Sequence, residues 1–282
     1  MLGHKLIQIL KSDFEVFSVI RSNYKKFEKF GITPPKKVFG PVDVEDFEAI
    51  ENIIKKSEPD FVINAVGVIK QVKDSKDTFL TININSIFPR RLAAVAPEYG
   101  FRLINISTDC VFSGKKGNYN EKDLSDAEDL YGKSKYLGEV SGKNCLTVRT
   151  SIIGRELFSA HSLIEWFLSN RGGKIKGFKN AIYTGFPTIV FAEIISGIIK
   201  DHPEMEGLYH VSSEPINKYQ LLKLVNKEFK ADIEVVPFED FYCDRSLDST
   251  KFRNLTGFKP QSWEKMIELM ADDAARYDSW RE

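Results

Sequence analysis

The sequence predicts an α/β protein with a doubly wound parallel sheet and a smaller lobe toward the C terminus. Short apolar runs alternate with longer segments of helical period along the chain. Runs such as Phe61-Val62-Ile63 and Leu103-Ile104-Asn105-Ile106 are apolar at consecutive positions, so both faces of those strands are expected to be covered. Helices between such strands impose parallel pairing, and a ligand in that architecture sits at the carboxyl ends of the strands.

Taken in order, Phe14 to Ile20 reads as a strand, Val44 to Lys56 as a helix, Asp60 to Val66 as a strand, Ser75 to Glu98 as helical and Phe101 to Ser107 as a strand. A helix over Ala127 to Val140 and a strand over Cys145 to Thr150 continue the alternation, followed by helical segments at His161 to Ser169 and Thr188 to Lys200. From Asn217 the text is mixed. It holds a helix near Tyr219 to Phe229, a short apolar piece from Ile233 to Phe238 and an amphipathic helix from Trp263 onward, together a lobe closing over the strand ends.

A chain of 282 residues buries roughly three quarters of its unfolded surface and needs neither disulfides nor a metal to hold a core. Lys plus Arg (40) equals Asp plus Glu (40), so no net field draws the protein to nucleic acid or anionic lipid, and a small-molecule partner is favoured. Cys110, Cys145 and Cys243 are far apart and odd in number, which excludes a disulfide framework or zinc spacing and fits a reducing, cytoplasmic setting. The run Ile189 to Ile199 is too short for a bilayer and carries Glu193, and the first residues lack the pattern of a signal peptide. No membrane span, export or bound metal is expected.

Tyr131 and Lys135 share a helix face four residues apart. A tyrosine with a pKa near 10 transfers protons at neutral pH more readily beside an ammonium. A second copy of the spacing, Tyr219 and Lys223, shows that the pair alone is weak evidence. Only the first has Ser107-Thr108-Asp109 at the end of an apolar strand upstream of it, where the alternative is an ordinary capped turn. A Thr hydroxyl at a strand end with a Tyr/Lys helix is the set that polarises a carbonyl oxygen and protonates it while a cofactor delivers hydride.

These residues carry a resemblance. Thr108-Asp109-Cys110-Val111-Phe112-Ser113-Gly114, Tyr131-Gly132-Lys133-Ser134-Lys135, Asp43-Val44, Asn64-Ala65, Asn85 with Pro89, Arg149-Thr150-Ser151, Gly185-x-Pro187-Thr188, Gly207-Leu208-Tyr209-His210 and Ser246-Leu247-Asp248 resemble the extended short-chain dehydrogenase/reductases, and among them the dTDP-4-dehydrorhamnose reductase branch, over most of the chain. The resemblance implies a Rossmann-like domain over 1–150 with 180–212 returning to it, and a substrate-binding lobe over 151–179 and 213–282. It implies that Tyr131 donates the proton, Thr108 bonds the substrate carbonyl, and Lys135 holds the nicotinamide ribose while lowering the Tyr131 pKa. Asp43 and Val44 would border the adenine, and Gly3, Ala65 and Gly67 would line the cofactor groove. Asp109, Asn85 and Arg149 fall at substrate-side positions. Related dehydratases carry Asp-Glu after the Thr; Asp109-Cys110 here favours reduction.

Two departures stand out. The family opens with a mid-sheet strand and a G-x-x-G-x-x-G loop, of which only Gly3 corresponds here, so two buried strand edges are expected to lie open. The expectation is that Met1 is an internal methionine of that loop and that the natural product starts upstream. Second, the loop Val66-Gly67-Val68-Ile69-Lys70-Gln71 differs from that of rhamnose reductases, so the sugar is expected to differ. Arg21-Ser22 follows the strand where NAD enzymes place an acid, which favours NADPH, with NADH as the alternative and a solvated Arg21 as the bland reading.

Gly132-Lys133-Ser134 ends like a P-loop but lacks the leading glycine, and the four histidines have no triad or metal spacing. Cys110 is either a reactive thiol or a small buried hydrophobe. The reading that results is NADPH-dependent reduction of the 4-keto group of a nucleotide-linked 4-keto-6-deoxy sugar in polysaccharide precursor synthesis, by a chain compatible with a homodimer. The rivals are a non-catalytic dinucleotide-binding regulatory subunit, like the methionine adenosyltransferase partner, and a truncated, defective reductase.

Overall fold

In a computed structural model of the chain, residues 1–70 and 77–281 are described; Gln71, Ser75 and Lys76, which the sequence places in the loop and the following helix, lie outside them. The first half runs α1 (Leu2–Leu10), β1 (Ser18–Val19), α2 (Lys25–Glu28), β2 (Val38–Phe39), α3 (Phe47–Ser57), β3 (Phe61–Asn64), α4 (Thr78–Ile82), α5 (Phe88–Tyr99), β4 (Arg102–Thr108), α6 (Leu130–Leu137) and β5 (Cys145–Thr150). It continues through β6 (Ile152–Ile153), α7 (Leu163–Leu168), β7 (Lys174–Tyr183), β8 (Phe186–Pro187), α8 (Thr188–Asp201), β9 (Gly207–His210), β10 (Ile216–Asn217), α9 (Lys218–Glu228), β11 (Glu234–Asp244), α10 (Thr250–Thr256) and α11 (Trp263–Arg281).

The central sheet has the order β3-β4-β5-β9 and all its pairs are parallel. Alternate side chains of β4 face opposite layers, as the pleat requires. Ile104 and Ile106 join Leu2, Leu6 and Leu10 of α1 and Ile195 of α8, whereas Leu103 joins Phe47, Ile50 and Ile54 of α3 and Leu92 of α5. Both faces are therefore covered, and the doubly wound α/β class holds. Among the described residues no helix is long and apolar enough to cross a membrane.

The strand expected over Phe14 to Ile20 contracts to Ser18–Val19, which among the described residues pairs only with β2, as β3 pairs only with β4. The parallel strands are thus split into two sheets, and the apolar Phe61, Val62 and Ile63 of β3 are only half-buried. The span expected as one helix to Glu98 is interrupted by a π-helical turn, Asn83–Ile87, which inserts Asn85 and Ser86 into the interior. Such turns widen a helix by one residue and recur at functional sites.

The second sheet has the order β10-β7-β11. Residues 180–183, expected to return to the first domain, complete β7 of this sheet, and the return is made by α8 and by β9, which pairs with β5.

Candidate functional site

β4 ends at Thr108, the last residue before a short 3-10 turn, Asp109–Val111. The Thr108 side chain caps that turn by accepting from the Cys110 N–H (3.1 Å) and donates to Asp109 Oδ1 (3.2 Å). α6 starts at an Asp129 cap that accepts from Gly132 N–H (2.8 Å) and pairs with Lys70 (2.6 Å), which fixes the first helical turn and Tyr131 with it. Gly132 lets that turn approach closely, since a Cβ there would collide with the Cys110 carbonyl and Ala127. Close packing of Gly132 on the Cys110 carbonyl sets Tyr131 beside the turn that Thr108 opens, so the two residues singled out from sequence come together at the strand end.

Lys135, one turn along α6, is buried and donates from Nζ to the Ile106 carbonyl (2.7 Å). Burial pulls its pKa down to about 8, partly opposed by Glu139. The expected lowering of the Tyr131 pKa is not found: burial pushes the phenol up, and the neighbouring Cys110 and Asp109 push the same way. Asp109 is likewise raised by burial, against the opposing pull of Arg245 and Lys218. The Cys110 thiol is pushed up to about 12 by burial and Asp109, so it is held protonated and the reactive-thiolate alternative has no support here.

Two substrate-side positions from the sequence reading have side chains bonded to partners within the protein. Arg149 is buried, forks onto Glu139 through Nε and Nη2 (both 2.7 Å), and contacts His210 Nε2 through Nη1 (3.2 Å). Its guanidinium is thereby held between Glu139 and His210. Asn85 is buried and bonded to Val68 and Ser134, holding the loop after β3 against α6. Asp109 alone of the three stays beside Thr108 at the strand end.

Of the cofactor-side positions, Ala65 and Gly67 are exposed after β3, Val44 is half-buried, and Asp43 accepts from Glu45 N–H (3.1 Å). Arg21 is exposed just beyond β1, and Gly3 is exposed in the first turn of α1 with open space where a Cβ would project. Arg21 carries an exposed guanidinium, a group with the chemistry to take a phosphate. Lys135 keeps two further N–H donors for a ribose. The second spacing copy is plain packing: Lys223 lies over the Tyr219 ring, and Tyr219 packs against Gly177.

Sequence reasoning did not assign Lys70, Tyr183, Lys218 or Arg245, all of which come to this end of the sheet. Lys70 lies 5.5 Å from the Tyr131 ring centroid, Lys218 lies 4.0 Å from that of Tyr183, and Arg245 donates to the Phe112 carbonyl (2.8 Å). Only the adjacency of Arg245 to Ser246-Leu247-Asp248 offered a signal.

Comparison with known proteins gives three findings. The family profile described as RmlD substrate binding domain matches residues 1–276. The dTDP-4-dehydrorhamnose reductase of Aggregatibacter actinomycetemcomitans is 25% identical over 259 residues, covering 82% of this chain and 86% of the relative. Among solved structures, a hypothetical dTDP-4-dehydrorhamnose reductase from Sulfolobus tokodaii superposes with a TM-score of 0.76 at 25% identity over 93% of this chain and 94% of that one. The dTDP-4-dehydrorhamnose reductase from Bacillus anthracis in complex with NADP gives 0.75 at 20% identity, over 92% and 98%.

Proposed function

Because the chain belongs to the RmlD substrate binding domain family, we propose that it reduces the 4-keto group of a nucleotide-linked 4-keto-6-deoxy sugar with NADPH, in the cytoplasmic synthesis of polysaccharide precursors. The observation that carries this reading is the packing of the Tyr131 turn of α6 against the Thr108–Cys110 turn at the C-terminal end of β4, with Lys135 on the same helix. The relative's reductase name supports the reaction class.

Arg21 would hold the 2′-phosphate, Asp43 and Val44 the adenine, and Gly3, Ala65, Gly67 and Lys135 the remainder of the dinucleotide. When bound there, that group supplies hydride to the carbonyl carbon. Thr108 donates to the carbonyl oxygen, and Tyr131 releases its proton to that oxygen as charge develops, to be reprotonated from solvent. A high Tyr131 pKa keeps the phenol protonated at neutral pH, which suits a donor in the direction of reduction. Lys135, tied to the Ile106 carbonyl and charged below about pH 8, would present its remaining donors to the ribose. A neutral Cys110 in place of a second carboxylate leaves no base there to abstract the proton that elimination of a hydroxyl requires, in line with reduction.

The test is NADPH consumption with a 4-keto-6-deoxy nucleotide sugar, together with Tyr131→Phe. The variant is expected to lose about 10²- to 10⁴-fold in turnover and to retain NADPH affinity. Full activity in Tyr131→Phe overturns the assignment. Dinucleotide binding without turnover by the wild type supports a regulatory role instead.

A further inference from the structure

Among the described residues Lys218 has no ion-pair partner and lies over the Tyr183 ring. It is the first residue of α9, directly after the Asn217 cap that accepts from Gln220 N–H (2.8 Å), and its place is set by the β10–β7 register, in which Ile216 faces Tyr183 and Asn217 faces Ile182. That register lays the ammonium over the Tyr183 ring at 4.0 Å. Among the described residues no carboxylate comes within 4.0 Å of its nitrogen and it donates no hydrogen bond to protein, although it is only half-buried by exposure and densely surrounded.

The position is also locally unfavourable. A cation in the first turn of a helix opposes the macrodipole, and burial pulls the Lys218 pKa down to about 8. A local rule broken in this way points to a site. The groups around it are Asp109, Cys110 and Cys243, with Arg245 across the cleft. Cys110 is held neutral, and Arg245 is committed to the Phe112 carbonyl and the Cys110 sulfur (3.9 Å). The Tyr183 hydroxyl is buried beside Ser151 without a hydrogen bond of acceptable geometry. Thr108 pairs with Thr150 in the sheet, Ser151 follows it with its carbonyl beside the Tyr183 hydroxyl at Gly185, and the Lys218 ammonium lies over the Tyr183 ring, so Lys218 shares the strand end with Asp109, whose Oδ1 is 3.2 Å from Thr108 Oγ1.

We propose that Lys218 and Asp109 form a donor–acceptor pair for one hydroxyl of the hexose, the one on the carbon beside the reacting carbonyl. The ammonium donates to that oxygen and the carboxylate accepts its proton, while Thr108, next to Asp109, takes the carbonyl oxygen. Vicinal oxygens on a sugar ring are close enough to be read by adjacent side chains in this way. Lys218 thereby selects 4-keto hexoses with a free adjacent hydroxyl over deoxygenated ones. This rests on the reductase reading above, and deepens it by naming the substrate feature recognised.

The test compares wild type, Lys218→Met and Lys218→Arg in the full chain. It uses calorimetric titration of a nucleoside diphosphate hexose and of its analogue lacking the adjacent hydroxyl, with NADPH affinity and melting temperature as controls. Loss of one charge-assisted hydrogen bond is expected to weaken hexose binding about tenfold in Lys218→Met, with recovery in Lys218→Arg, unchanged NADPH affinity, and equal binding of the deoxygenated analogue by wild type and variant. Equal affinity of wild type and Lys218→Met for the hydroxylated sugar overturns the proposal, as does equal weakening for both sugars. The outcome is separable from the reductase reading, because a wild type that binds the sugar but consumes no NADPH refutes reduction while the affinity comparison still judges Lys218.

Discussion

Asn85 makes both of its amide bonds to the backbone of one residue, Val68: Oδ1 accepts from the Val68 N–H at 2.8 Å and Nδ2 donates to the Val68 carbonyl at 3.0 Å, with a further bond to Ser134 Oγ at 3.1 Å. A side chain on the π-helical turn thus satisfies the backbone of the loop carrying Ala65 and Gly67 and ties it to the helix carrying Tyr131. Removal of the amide in Asn85→Ala leaves a buried N–H and carbonyl unpaired. The expected loss is about 2 to 4 kcal/mol of unfolding free energy by denaturant titration, and a loss under about 0.5 kcal/mol would show that water replaces the side chain.

Gly138 ends α6 where the Asn85 carbonyl and the Pro89 ring close in, and a Cβ there has no room against backbone. Gly138→Ala is expected to lower the melting temperature through displacement of α6, and with it to reduce turnover. Gly197, inside α8 with nothing near its Cβ position, gives the contrast. Gly197→Ala is expected to add about 0.5 to 1 kcal/mol through reduced backbone entropy alone. Similar effects at both positions would contradict the packing described.

Arg149 and Glu139 are a buried fork completed by Ser107 Oγ, which donates to Glu139 Oε1 at 2.7 Å. Arg149→Met strands a buried carboxylate and is expected to cost about 3 to 5 kcal/mol, whereas Arg149→Met with Glu139→Gln should restore much of that loss. If Arg149→Met instead folds with wild-type stability and weakens only substrate binding, the residue belongs to the cleft.

Stability should fall on the acid side through two histidines. His4 bonds the Tyr277 hydroxyl (2.5 Å) and is lowered to about 2 by burial, and His210, held by the Tyr119 carbonyl (3.0 Å), is lowered to about 4 by burial and by Arg149. Unfolded histidine titrates near 6.5, so below that pH the unfolded chain binds more protons and stability rises with pH. Between about pH 6 and 4.5 the pair contributes up to about 2.7 kcal/mol per pH unit. His4→Gln and His210→Gln should each flatten the pH dependence of unfolding by about one proton, and an unchanged slope in both would assign the acid transition to carboxylates.

Much of the architecture was legible because it is written in local periods. The consecutive apolar residues of β4 announced a strand buried on both faces, and Ile104 with Leu103 now divide between two separate layers. β5 spans Cys145 to Thr150 as read, and α8 starts at Thr188 as read. The Thr108 and Tyr131 meeting was legible too, since each lies at the end of an element whose position in a parallel sheet follows from chain order.

What the sequence by itself determined was therefore the element order, the parallel sheet and the two hydroxyls at its C-terminal edge, because propensity and periodicity act over a few neighbouring residues. Tertiary structure alone decided the partners of the charged groups. Whether Arg149 faces a cleft or a buried Glu139, whether Lys135 lowers Tyr131 or bonds the Ile106 carbonyl, and whether Lys218 finds a counter-ion each depends on residues brought together from distant segments. Desolvation, which sets the pKa shifts of all three site groups Tyr131, Lys135 and Asp109, is likewise a property of the assembled neighbourhood and has no signature along the chain.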